Sequence, residues 1–420
     1  MSASGDDPGV GPWKPLLAGA NADEAVRVAR EVGMRLRETE RLESAIRYRA
    51  GVAESHPAFA IAFAQLDACL PGEGWDDAAL EEIESSAAAL RGASRVPTGL
   101  FAGLAGTAYG ADFVDPERYA QLLRTLDGLI ARRLEPLLAR LVARRDGCAE
   151  YEIDVVSGLA GIGAYALSRG DEPMLRPVVE RLVGLLGAEG DTPAWRTPPE
   201  LLDDDVRDEY PDGRLNCGLA HGIPGPLALL CLVHSAGFHA QGLEEAIRHT
   251  SGWLVEHAIE DERGVDWPYS VPGDRPARAA WCYGAPGIAR ALRLAGEALG
   301  DPELQAFAVS ALESVFLRPR EELRLDGVTF CHGVAGVLQI TMRMAADSDG
   351  DRLREAASGL AGELIERFEP DAPFGYRGLD PDGQPEDQPG LLEGAAGVAL
   401  VLLAAATSEP PRWDRVFLLA

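Results

Sequence analysis

Six times along the chain the pattern Gly-x-x-Gly opens an apolar run: Gly103–Gly106, Gly158–Gly161, Gly222–Gly225, Gly284–Gly287, Gly333–Gly336 and Gly394–Gly397. Successive first glycines lie 55, 64, 62, 49 and 61 residues apart. A single such tetrapeptide constrains nothing. Six at near-regular intervals mark a repeated supersecondary unit that buries its apolar face only against its neighbours. The segments after the glycines, such as VLQITMRMA, IARALRLAGEAL and PLALLCLVHSAG, have helical apolar spacing, and Pro226 suits a first helical turn. Amphipathic stretches such as 118–145 and 351–368 lie between the copies.

Each period therefore predicts two antiparallel helices, one apolar and one amphipathic, and strand signals are scarce. The expected fold is all-α, and helix pairs repeated this often stack as an open solenoid or close into a ring; a closed α/α toroid puts every inner-helix N-terminus at one end of a central cavity. The glycines allow tight turns and close helix approach there. A seventh, degenerate unit without the glycines is expected around 56–70 (HPAFAIAFAQLDACL). We divide the chain into an N-terminal extension with a first helix, 1–45, and a single toroidal domain, 46–420. The Pro-rich acidic segment 190–214 cannot be one continuous helix and is expected as a surface loop near the cavity mouth.

The formal net charge of −28 argues against a nucleic-acid or anionic-membrane surface. The N-terminus lacks a basic and then apolar signal pattern, and the most apolar stretch, 395–406, is too short to span a bilayer. Six cysteines in 420 residues are too sparse for a disulfide scaffold. The expectation is a reduced, cytoplasmic protein.

Aligning the repeats on their first glycine puts Ala102, Ser157, His221, Tyr283, His332 and Glu393 in one column. The preceding column holds Phe101, Val156, Ala220, Cys282, Cys331 and Leu392. In a ring, equivalent positions face one axis at one height, so Cys282, Cys331 and His332 converge. Either cysteine alone reads as a small core residue. Two in register, with a histidine attached, form a Cys₂His set that suits zinc with its fourth position open. Cys69, Cys148 and Cys231 read as packing, and Cys217 is left open. His56, His234, His239, His249 and His257 read as surface or packing residues.

The segments EYPDGRLNCGLAHGIPG (209–225), RAAWCYGAPGI (278–288), FCHGVAG (330–336), GLLEGAAGVALVLL (390–403) and WDRVFLLA (413–420) resemble the lanthipeptide cyclase, or LanC-like, family in its stand-alone form. YEIDVVSGLAGIG (151–163) resembles the stretch carrying that family's active-site aspartate. The resemblance implies a seven-unit toroid with one zinc held by Cys282, Cys331 and His332. It also implies His221 as active-site histidine, with Asp154, Arg278 and Tyr283 beside it. The activity it implies is addition of cysteine thiols to the double bonds of dehydrated Ser and Thr residues, closing thioether rings in a precursor peptide. A separate dehydratase and a peptide exporter are the implied partners.

The residue types suit that chemistry. A free thiol, with a pKa of about 8.5, is mostly protonated at neutral pH, and zinc displaces the proton. Two protein thiolates neutralise Zn²⁺, so a third thiolate from the substrate makes an anionic, electron-rich centre. Thiol addition then generates an enolate to be stabilised and protonated. His221 is the candidate acid and base, Asp154 its orienting carboxylate, and Arg278 a holder of the enolate oxygen or of Asp154. Read alone, Asp154 could cap a helix, Arg278 could be a surface charge and Tyr283 a packed aromatic. Rival readings are a zinc-containing peptide scaffold without catalysis and an enzyme adding glutathione to dehydrated proteins. A prenyl transferase would need a cationic diphosphate site, and no Lys/Arg cluster adjoins these motifs. A glycosidase using Asp154 and Glu393 would leave Cys282, Cys331 and His332 without a role.

Overall fold

The computed structural model describes residues 13–420 apart from 39–41, 43–44, 47–49, 94, 145, 189, 191, 349–350 and 381, and the side chain at 205. Among these, α1 (Ala20–Leu36) comes first. Six helix pairs follow: α2 (His56–Cys69) with α3 (Trp75–Arg91), α4 (Leu104–Val114) with α5 (Ala120–Ala143), α6 (Leu159–Arg169) with α7 (Glu172–Leu186), α8 (Pro224–Ser235) with α9 (Leu243–Glu256), α10 (Ala285–Ala298) with α11 (Pro302–Val315), and α12 (Val334–Ala346) with α13 (Asp351–Glu366). The last helix is α14 (Ala395–Ala406). Three two-stranded antiparallel pairs decorate the loops.

The even-numbered helices form an inner ring in which each packs on the next and α14 returns to α2. The degenerate unit thus supplies a full inner helix and the ring closes. Inner helices are buried on nearly every side, and their few polar side chains, Arg290, Gln339 and Arg343 among them, find partners inside the ring; in α14 every residue from Ala395 to Ala405 is buried. Outer helices bury one stripe. In α1 that stripe is Ala25, Val28, Ala29, Val32 and Leu36, seated on α14. Trp13 Nε1 donates to the Ala404 carbonyl at 2.8 Å, and the Leu16 and Leu17 amides donate to the Ala405 carbonyl. The chain's first described helix is therefore the outer partner of its last inner helix.

The glycine pairs set the height of the mouth. A Cβ on the second glycine of a motif would stand 2.0 Å from the Phe330 carbonyl oxygen at Gly336 and 1.8 Å from that of Leu100 at Gly106. The helix start thus packs directly on the backbone of the preceding turn. Gly284 in addition holds φ +76°. These turns are stitched into a circle by backbone hydrogen bonds. Ala53 donates to Phe101, Phe101 to Val156, Val155 to Ala220, Ala220 to Cys282, Cys282 to Cys331, Cys331 to Leu392, and Leu392 back to Ala53.

The bore beneath the mouth is filled. The 3₁₀ turn Arg412–Phe417 lies among the inner helices: Tyr109 donates to the Arg412 carbonyl, Arg290 to that of Leu419, and Arg343 and Gln339 to the Asp414 carboxylate. The Phe417 ring stacks on Phe330 at 3.7 Å between centroids and meets Trp281 edge-on at 5.1 Å. Phe330 and Trp281 immediately precede Cys331 and Cys282 in the chain, so this aromatic cluster supports the turns that carry both thiols.

Candidate metal centre and active site

The circle of backbone hydrogen bonds passes through Cys282 and Cys331 themselves, and the register that fixes it brings their side chains together. The ligand atoms of Cys282, Cys331 and His332 all lie within 4.8 Å of one another, among the described residues the one converging set of this kind. Tetrahedral zinc with sulfur and nitrogen ligands separates them by about 3.5–4 Å. Two thiols and an imidazole at this spacing, one thiol buried and the others half-buried, are a donor set that fits zinc. The thiols share one proton. Donation by the Cys331 S–H pushes the Cys282 thiol down to about 6 against the effect of burial, with His332 assisting. Cys331, hydrogen-bonded to that thiolate and buried, is held well above the ordinary range. A metal cation held by these two thiols would relieve the conflict by replacing the shared proton. His332 Nδ1 lies 3.8 Å from a Glu393 carboxylate oxygen on the neighbouring turn.

One column away, His221 Nδ1 is 2.7 Å from Asp154 Oδ2. Asp154 is 1% exposed, and its other oxygen accepts from the Ser157 and Gly158 amides at 2.7 and 2.8 Å. The aspartate does both things its position allows: one oxygen fixes the turn before α6 and the other holds the imidazole. Its place is set by the short helix Glu150–Ile153, which Glu152 anchors through Arg144 and the Ala149 amide. The His221 side chain is 43% exposed, and with Nδ1 committed to Asp154 its Nε2 is left to exchange protons. Desolvation pulls the imidazole down, but the hydrogen bond and charge of Asp154, with Glu150 and Cys282, outweigh it and raise the pKa above the ordinary value.

Arg278 is half-buried and reaches the Tyr269 hydroxyl through its backbone N–H at 3.3 Å and its Nε at 3.4 Å. Desolvation opposes its charge, yet the Tyr269 hydroxyl, with charge on Cys282 and Cys331, raises its pKa. No ion pair joins it to Asp154 among the described residues, so the aspartate is positioned without it. Tyr283 is half-buried; burial, partly offset by Asn216, pushes its phenol up to about 12 and keeps it protonated.

Several residues of this mouth escape a reading of the repeat. Asn216 bridges Tyr283 and Glu150, and Arg214 clamps Glu150 through two hydrogen bonds at 2.6 and 2.9 Å. Tyr269 packs against Tyr283 with centroids 4.9 Å apart. None sits in either of the two columns just before the first glycine, and their long-range hydrogen bonds reveal them. The acidic segment ends at this network: Arg214 pairs back to Thr197 across its base, and its interior holds the short helix Asp204–Glu209.

Comparison with known proteins decides the family. The model of the lanthionine synthetase C-like proteins matches residues 52–418. The chain belongs to that family. It is 26% identical over 323 residues to the nisin biosynthesis protein NisC of Lactococcus lactis subsp. lactis, covering 72% of each chain. The solved structure of nisin cyclase superposes with a TM-score of 0.77 over 94% of this chain and 98% of that one, at 22% identity. The fold is thus the α/α toroid of that cyclase. Among the described residues no helix is long and apolar enough to cross a membrane.

Proposed function

We propose that this LanC-like protein is a zinc-dependent lanthipeptide cyclase, with Cys282, Cys331 and His332 holding the metal and His221 serving as acid and base. The observation that carries the reading is the convergence of the thiol, thiol and imidazole donors with the His221–Asp154 pair on one mouth of a closed ring. Zinc bound at that set would lower the pKa of a substrate thiol and keep its sulfur nucleophilic near neutral pH. The substrate sulfur bonds to the β-carbon of a dehydrated Ser or Thr, and the double-bond electrons move onto the adjacent carbonyl as an enolate. The thiol proton leaves to solvent, and His221 delivers one to the α-carbon from Nε2, so the addition balances. Asp154 fixes the imidazole tautomer and favours its protonated form. Arg278, with Tyr269 steering its side chain, offers a cation to the enolate oxygen.

The relatives' names concern nisin; for this chain the substrate is a dehydrated precursor peptide with free cysteines. A separate dehydratase and an exporter are its natural partners. All six cysteines are free, which accords with a reducing, cytoplasmic setting. Elemental analysis of purified protein beside a Cys331→Ala variant tests the metal, with about one zinc per chain expected only in the parent. Loss of free thiols from a dehydrated peptide, counted by alkylation and mass spectrometry, tests the reaction. Protein replete in zinc that consumes no thiol would be a peptide scaffold.

A further inference from the structure

The hydrogen bonds around Asn216 determine which way the Tyr283 hydroxyl must point. The Gly218 amide, which can only donate, lies 2.8 Å from Asn216 Oδ1. Asn216 Nδ2 then faces a Glu150 carboxylate oxygen at 2.9 Å and the Tyr283 oxygen at 3.1 Å. The amide cannot be turned over, because its oxygen would then face an acceptor and its NH₂ a donor. Glu150 is held in turn by both nitrogens of the Arg214 fork. Both protons of the Asn216 amide are therefore spoken for, and the Tyr283 oxygen is obliged to accept one of them. Its own proton is left for another acceptor, and among the described residues no protein atom takes it. The ring itself cannot swing away: Gly218 lies so close that a Cβ there would stand 2.5 Å from the phenol.

We propose that Asn216 is a positioning residue, locked by Glu150 and Arg214, which sets Tyr283 as a one-way O–H donor into the mouth, aimed at the enolate oxygen formed during thiol addition. The assignment rests on the cyclase reading for its substrate but not for its geometry. Arg278 and Tyr283 then approach the same developing charge as a cation and a neutral donor, and the base of the acidic segment, through Arg214, becomes part of the active-site frame.

The direction of the donor can be inverted without emptying the network. In the double variant Glu150→Gln/Asn216→Asp, the amide introduced at 150 keeps its oxygen on Arg214 Nε, gives up the second Arg214 bond, and donates its NH₂ to the carboxylate introduced at 216. That carboxylate still accepts from Gly218 and now takes the Tyr283 proton. Two measurements on the zinc-loaded full chain decide the matter. The first is the tyrosine Raman doublet, taken as a difference against Tyr283→Phe, which separates a phenol that accepts from one that donates strongly to a carboxylate. It should change from the accepting to the donating pattern in the double variant; an unchanged doublet overturns the orientation. The second is cyclisation of a dehydrated peptide. Both the double variant and Tyr283→Phe should lose about tenfold or more in kcat with KM unchanged, and combining them should cost nothing further. Wild-type kcat in a double variant whose doublet has inverted overturns the catalytic use of the donor. A doublet that inverts in the double variant as expected, with a parent protein that consumes no peptide thiol, would leave the orientation standing and defeat the cyclase reading instead.

Discussion

At the scale of single residues, the proposed metal-binding set and proton-handling pair respond to pH in opposite directions. Because Asp154 and its neighbours raise the His221 pKa, the imidazole stays protonated to higher pH than a free histidine. If His221 delivers the α-carbon proton, kcat falls as pH rises through that elevated value. Asp154→Asn removes the charge and should move the alkaline limb of the kcat profile to lower pH; a profile unmoved by the substitution would detach His221 from proton delivery. Metal retention runs the other way. Both thiols must give up their protons to hold a metal, Cys331 from well above the ordinary range and Cys282 from below it, so protons compete for the site increasingly as pH falls. Dialysis against a fixed chelator should strip more zinc at each step down in pH, as read by a colorimetric zinc indicator. Much of this was legible in the sequence, because Cys282, Cys331, His332 and His221 share two columns of the repeat. Asn216, Glu150 and Tyr269 were not, since hydrogen bonds between turns far apart in the chain leave no periodic trace.

Among the elements, the glycine pairs govern how closely each helix start sits on the turn before it. Gly336→Ala would thrust a methyl group to 2.0 Å from the Phe330 carbonyl oxygen and 3.2 Å from the Trp281 Cβ, both backbone-anchored neighbours of the thiol-bearing turns. It should destabilise the fold by about 2 kcal/mol or more, and zinc content should fall with it, because the displaced turn carries Cys331 and His332. Gly359 gives the contrast. It lies inside α13, and no atom of the described residues comes within 4 Å of where a methyl carbon would stand. Gly359→Ala should stabilise by about 0.5–1 kcal/mol and leave zinc content alone. Thermal unfolding of the two variants beside elemental analysis separates a glycine needed for packing from one that only weakens a helix. The same contrast explains what the repeat could reveal. Glycines under backbone contact recur in register and mark six inner helices. The seventh begins at Ser55-His56-Pro57, with Ser55, whose hydroxyl donates to the Gly51 carbonyl, at the turn in place of a glycine, and was visible only as an apolar stretch.

For the whole molecule, closure changes how stability is shared. An open stack of helix pairs frays from its ends, with each unit answering mainly to its neighbours. Here α14 packs on α2, the backbone circle runs unbroken from Ala53 around to Leu392 and back, and α1 covers α14 from outside. No periodic signal tied α1 to α14, since the two lie at opposite ends of the chain and α1 carries no glycine motif. Only the closed ring makes them a pair. Val28, fully buried at that contact, therefore bears on the whole toroid. Val28→Asp places an unpaired carboxylate there, at a cost of about 3 kcal/mol or more. In a cooperative ring, the loss lowers one shared midpoint: far-ultraviolet circular dichroism, tryptophan fluorescence and zinc release should shift together and stay coincident. The seven tryptophans report on several units at once. Were the variant to show an early transition confined to part of the helical signal, with zinc retained until a later one, α1 would be a peripheral cover. The catalytic mouth would then draw its rigidity from the inner ring alone.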